Sequence, residues 1–177
     1  MWDTLDTIKD HLKNIKNKKV KIGELRHAWV TKPERAAIEH VCGSMDKFVE
    51  FMEEVDNFEF NALISIDSGA MCSLQHDIYY HTEMRKHVAS KGSAFSELQK
   101  HIAGDLPKSI QSVEKAIVTV QGLMAQMVRY LDDIQKLSGQ KDSDIQKYLA
   151  NDIKSAKENI EKAQKAITEG KQILANN

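Results

Sequence analysis

The stretch LPKSIQSVEKAIVTVQGLMAQMVRYLDDI, residues 106 to 134, decides the fold. Leu106, Ile110, Val113, Ile117, Val120, Met124, Met127, Leu131 and Ile134 step through it by alternating fours and threes without a break. That is the a/d seam of a heptad repeat, so the segment reads as one long helix. A second seam, Leu149, Ile153, Ala156, Ile160, Ala163, Ile167 and Leu174, follows a short polar stretch, Ser138 to Asp144. The connection contains Gly139 and the Ser143-x-x-Gln146 pattern of a capping box. The two seams predict an antiparallel, coiled-coil-like helical hairpin over 105–177.

Working back from the hairpin, Asp105 offers a carboxylate cap and Pro107 a first-turn residue for a helix opening at Leu106, with a short segment around Phe95, Leu98 and Ile102 before it. Ser90 to Ser93, with Gly92, ends an earlier helix whose broad apolar face carries Phe60, Leu63, Ala70, Leu74, Ile78, His81 and Val88. Before that, Ile38, Val41, Met45, Phe48, Met52 and Val55 make another unbroken seam. Its start is marked by Thr31-x-x-Glu34 with Pro33 in the first turn, because the Thr and Glu satisfy each other's orphan amides and Pro has none to satisfy. Leu5, Ile8, Leu12 and Ile15 repeat at helical spacing nearer the N-terminus, with Lys9, Lys13 and Lys16 on the remaining surface.

The expectation is an all-α antiparallel, up-down bundle of about four long helices with a short N-terminal helix. One domain is expected, divided into an N-terminal helix and linker (1–31), a long helical pair (32–104) and the hairpin (105–177). Composition agrees: two prolines, eight glycines and 6% aromatics in 177 residues favour long helices over sheets. No apolar run approaches the length of a membrane span. Acidic residues stand in the first six positions, where a secretion signal would be basic, and Cys42 and Cys72 are too few for a disulfide framework. The expected setting is the reducing cytoplasm.

A net charge of -1 argues against a general nucleic-acid binder. The average hides a split, since residues 1–31 hold seven basic and four acidic side chains and residues 32–62 hold three and eight. Complementary attraction between neighbouring helices accounts for it most simply. The basic cluster from Lys13 to Arg26, near Trp2, adds a weak possibility of peripheral membrane contact.

Signals for chemistry are sparse. His76, Tyr80, Glu83 and His87 fall within about 60° of one another on a helix. Glu83 and His87 are metal-ligand types one turn apart, so a divalent metal is a candidate there, although the stripe points away from the expected core and has no Glu-x-x-His spacing within it. His81 shares the apolar face, where a lone imidazole is usually a hydrogen-bonded core residue. His11, His27, His40 and His101 form no readable constellation, and the angular positions of Cys42 and Cys72 disfavour a bridge. No phosphate loop, nucleophile elbow or zinc-protease motif is present. Ala156, Ala163 and Gly170 lie along one flank of the last seam, where small side chains permit close approach of another helix, either that of 106–134 or one from a second molecule.

These features point to a non-enzymatic interaction or assembly protein that works through its helix faces, self-associates and needs no cofactor. A metal- or small-molecule-binding, sensor-like bundle is the alternative.

Overall fold

The computed structural model describes residues 30–58, 70–88 and 92–176. The expected N-terminal helix, the basic cluster beside it, Phe60 and Leu63 lie outside the described residues. Among the described residues the chain is all-α: α1 (Lys32–Cys42), α2 (Met45–Phe58), α3 (Ala70–His87), α4 (Ser93–Ser138) and α5 (Asp144–Ala175), with no strand.

Two expectations about helix boundaries are overturned. The seam from Ile38 to Val55 is carried by two helices rather than one. Gly43 takes a left-handed conformation (φ 86°) and its amide closes α1 on the Glu39 carbonyl; Ser44 Oγ then accepts from the Lys47 amide, opening α2. In the second case a single helix replaces the short segment and the new start at Leu106: α4 runs through Pro107. The expected start of α1 is found, with the Thr31/Glu34 capping box complete and Pro33 in the first turn.

The described residues gather into two compact units, with boundaries inside α4 between Gln121 and Gly122 and inside α5 between Ala156 and Lys157. In the first unit, α1 and α2 pack with Gly122–Ser138 of α4 and Asp144–Ala156 of α5. The short connection after Ser138, with Gly139 at φ 66° and Asp142 at φ 62°, folds α5 back along α4. Ile38, Phe48, Met52, Met127, Ile134, Ile145 and Leu149 are fully buried there, and Tyr130 meets the edge of the Phe51 ring at 5.0 Å.

This core also encloses a polar knot. Glu34 is wholly buried, and its carboxylate accepts from the Thr31 amide (3.3 Å) and from Gln146 Nε2 (3.2 Å). Gln146 also donates to the Gln140 carbonyl at 2.8 Å and accepts from Gln135 Nε2 at 3.2 Å. Ser143 caps α5 by accepting from the Gln146 amide, but the Gln146 side chain, expected to complete a capping box, is committed to α1 and α4 instead.

In the second unit, Met71, Leu74 and Ile78 of α3 pack with Leu98, Ile102, Leu106, Ile110, Val113, Ile117 and Val120 of α4 and with Ile160, Ala163 and Ile167 of α5. Gly170 brings α5 against this core: a Cβ added to it would lie 3.1 Å from Ile110 Cδ1 and 3.4 Å from Leu74 Cδ1. No described helix is long and apolar enough to cross a membrane.

Candidate functional site

The second unit carries two surface features that packing alone does not require. The first lies between α3 and α4. Asp77 is 8% exposed, and its Oδ2 accepts a hydrogen bond from the Ser109 hydroxyl. Its Oδ1 stands 3.5 Å from His101 Nε2 and 3.7 Å from His76 Nδ1. His101 Nδ1 is 2.7 Å from Asp105 Oδ2, one turn along α4, and Tyr80 meets the His101 ring edge-on at 4.7 Å. The stripe His101, Asp105, Ser109 at i, i+4, i+8 thus faces the stripe His76, Asp77, Tyr80 across the helix pair. A cavity of about 410 Å³ opens beside them, lined also by Cys72, Ser73 and Lys108.

The second feature is a groove between α3 and α5. Tyr79 is 66% exposed at its rim, Ile78 and Ala166 form a buried apolar floor, and Lys162, Lys165 and Glu169 stand on the α5 side. The groove encloses about 430 Å³.

The residues singled out from sequence fall elsewhere. Glu83 is bound to Lys86 at 2.7 Å and His87 is exposed at the end of α3. No group of three or more His, Cys, Asp or Glu side chains among the described residues is placed to hold a metal ion. Ala156, Ala163 and Gly170 are all buried in the single chain. Gly170 rests against Ile110 and Leu74, so at this point the small-residue edge receives the chain's own helices instead of lying open to a second molecule. Neither Cys42 nor Cys72 is in a disulfide; burial raises the Cys42 pKa, partly offset by a hydrogen bond with Tyr130.

His81 does sit in the core, as its place on the apolar face implied. It is 5% exposed, its Nε2 lies 3.3 Å from Arg85 Nη1, and its Nδ1 has no hydrogen-bond partner. Burial, reinforced by the Arg85 charge, holds its pKa below the usual imidazole value. His101, which forms no constellation with the other histidines along the sequence, is central to the Asp77 cluster. The His101/Asp105/Ser109 spacing becomes a stripe only because α4 continues through Asp105 instead of starting there.

Comparison with protein-family models, with curated proteins and with solved structures finds no match in any of the three.

Proposed function

We propose that this chain is a non-enzymatic helical interaction protein that self-associates, and that the contact joins the α3/α5 groove of one copy to the outer face of α2 of another. The observation that carries the reading is Tyr79, an aromatic ring left two-thirds exposed beside an apolar floor, since large rings at such rims supply most of the binding energy where two surfaces meet. Charge favours a second copy as the occupant. Lys162 and Lys165 flank the groove, while Glu50, Glu53 and Glu54 are exposed together on the outer face of α2. The same reading takes the helices as an up-down bundle with a coiled-coil-like hairpin, working inside the cell.

Exposed ion pairs contribute roughly 0.2–1 kcal/mol each and are screened by salt. Burial of Tyr79 therefore has to contribute the larger part, and the association is weak, concentration-dependent and weaker still at high salt. Sedimentation velocity across the micromolar range measures it. The mass should rise with concentration at low salt; Tyr79→Ser or the pair Lys162→Glu, Lys165→Glu should abolish the rise, and adding Glu50→Lys and Glu54→Lys to the lysine variant should restore it. A parent that stays strictly monomeric at high micromolar concentration removes the self-association reading.

A further inference from the structure

The C-terminal half of α3 hangs on one side chain. Of the buried residues of this helix, Met71, Leu74, Asp77, Ile78 and His81, only His81 falls between Tyr79 and His87. The contact with Arg85 settles where its ring proton sits. Arg85 Nη1, 3.3 Å from His81 Nε2, is a donor and cannot accept, so Nε2 accepts and the proton is on Nδ1. Nδ1 is buried with no hydrogen-bond partner. A second proton therefore has to go to Nε2, where it meets the guanidinium head-on, on a residue only 5% exposed with little water to screen it. The other charged groups of the elements around the ring are engaged elsewhere. Asp77 of α3 binds Ser109 and Glu83 binds Lys86; His101 of α4 binds Asp105; Lys162 and Lys165 of α5 line the groove. Arg85 is the charge that acts on His81, and burial first, then Arg85, hold its pKa below the usual imidazole value.

We propose that His81 is a proton-sensitive peg: when its ring takes up a second proton, the stretch Tyr79–His87 leaves the core and the α3 wall of the α3/α5 groove comes apart. The release is local because nothing else on that stretch is buried, whereas α4 and α5 keep their seams from Ile110 to Val120 and from Ile160 to Ile167. Arg85, Lys86 and His87 close the helix with basic side chains, so protonation adds charge of the same sign to the end that is released. The sign follows from the lowered pKa. The opened stretch binds the proton more tightly than the packed one, so the hold is fully present above about pH 6.5 and is lost as the pH falls toward the lower folded value. Tyr79 and Thr82 line the groove, so losing this wall removes the aromatic rim through which the copies associate. That last consequence rests on the proposed function; the release of α3 does not.

Hydrogen–deuterium exchange of the full chain from about pH 7.5 to about pH 5, corrected for intrinsic exchange, tests the peg by comparing the amides of Tyr79–His87 with those of Val113–Val120. Sedimentation velocity follows the mass over the same range. In the parent the open fraction of 79–87 should rise several-fold on acidification while 113–120 stays closed, and the mass should fall in step. His81→Gln, which does not titrate and keeps an acceptor for Arg85, should remove the pH dependence; Arg85→Gln, which removes one of its two causes, should reduce the rise. The inference is overturned if 79–87 and 113–120 open together, or if a folded His81→Gln keeps the pH dependence of the parent. It is equally overturned, with no variant needed, if ¹⁵N shifts show both nitrogens of the His81 ring protonated at a pH where 79–87 is still closed. A parent that is monomeric throughout refutes the proposed function and leaves the exchange result to decide the peg. A parent whose mass ignores pH while 79–87 opens overturns the link between peg and groove.

Discussion

Replacing Glu34 by Ala tests whether the first unit is held by its buried polar knot as well as by its apolar core. Glu34 closes the capping box of α1 on Thr31 and binds Gln146 of α5, so the substitution removes two kinds of contact at once. Loss of a cap costs about 1 kcal/mol and loss of a buried hydrogen bond to a charged acceptor about 1.5–3 kcal/mol. Gln146 Nε2 keeps the Gln140 carbonyl at 2.8 Å, but its second N–H, buried beside Glu34, is left without an acceptor, which is the penalty that the hydrogen-bond figure includes. The expected destabilisation is about 2–4 kcal/mol, which for a chain of this length lowers the melting temperature by roughly 4–16 °C. Urea titration and thermal melting by circular dichroism read it directly, with Glu39→Ala, at an exposed position of the same helix, as the control. The double variant Glu34→Ala, Gln146→Ala should show a coupling of about 1 kcal/mol or more, whereas independent sites would simply add. A Glu34→Ala protein within about 0.5 kcal/mol of the parent would behave like an ordinary surface substitution and would refute the reasoning.

Two further outcomes follow from the second unit. Because burial depresses the His81 pKa, the unfolded chain takes up a proton that the folded chain refuses, so this residue's contribution to stability falls as the pH drops below about 6.5 and continues to fall until the lower folded value is reached. Urea unfolding of the parent and of His81→Leu through that window should give curves that diverge on acidification, with the variant less sensitive; parallel curves would show that His81 is not the titrating group. For Gly170, the packing against Ile110 and Leu74 means that enlargement should disturb stability before it disturbs association. Gly170→Leu should lose roughly 1–3 kcal/mol of stability by overpacking, and Gly170→Ala should stay within about 1 kcal/mol of the parent, as helix propensity offsets a small shift of Ile110. A Leu variant that melts like the parent but has lost its high-concentration mass would restore the intermolecular edge.

Helix class and core were legible because an apolar seam is a local, periodic signal. Of the positions read from 106 to 134, Leu106, Ile110, Val113, Ile117, Val120, Met127 and Ile134 are buried, while Met124 and Leu131 lie at its half-buried margin. The site was legible only in fragments. His76 and Tyr80 were noticed as a stripe on one helix, but a polar cluster between helices is made by a register that sequence spacing does not specify, and Asp77, His101 and Ser109 are brought together by that register. Gln146 illustrates the same limit within a motif: its spacing from Ser143 fits a capping box, yet buried partners on α1 and α4 outbid the local amide for its side chain.

The two misplaced helix boundaries show how seam and punctuation compete. At Gly43-Ser44 the seam continues but the helix stops, because both new ends are satisfied locally: Gly43 reaches the left-handed region without a Cβ penalty and returns its amide to Glu39, and Ser44 receives the Lys47 amide. At Pro107 the punctuation looked at least as strong, and the helix continues. A proline inside a helix removes one backbone bond and costs about 3 kcal/mol. The bond it removes belongs to the Ala103 carbonyl, and Ala103, Gly104 and Pro107 are all exposed, so water can serve that carbonyl. The residue that would have capped a new helix, Asp105, is engaged through its side chain by His101 from the preceding turn. Leu98, Ile102 and Leu106, each at least 97% buried, extend the seam of Ile110 and Val113 backwards without a phase change, and their burial at about 1.5–3 kcal/mol apiece outweighs the cost of the proline. A break in a seam therefore requires replacement partners for both helix ends, and a candidate cap predicts a start only when its side chain has no better partner within the preceding turn.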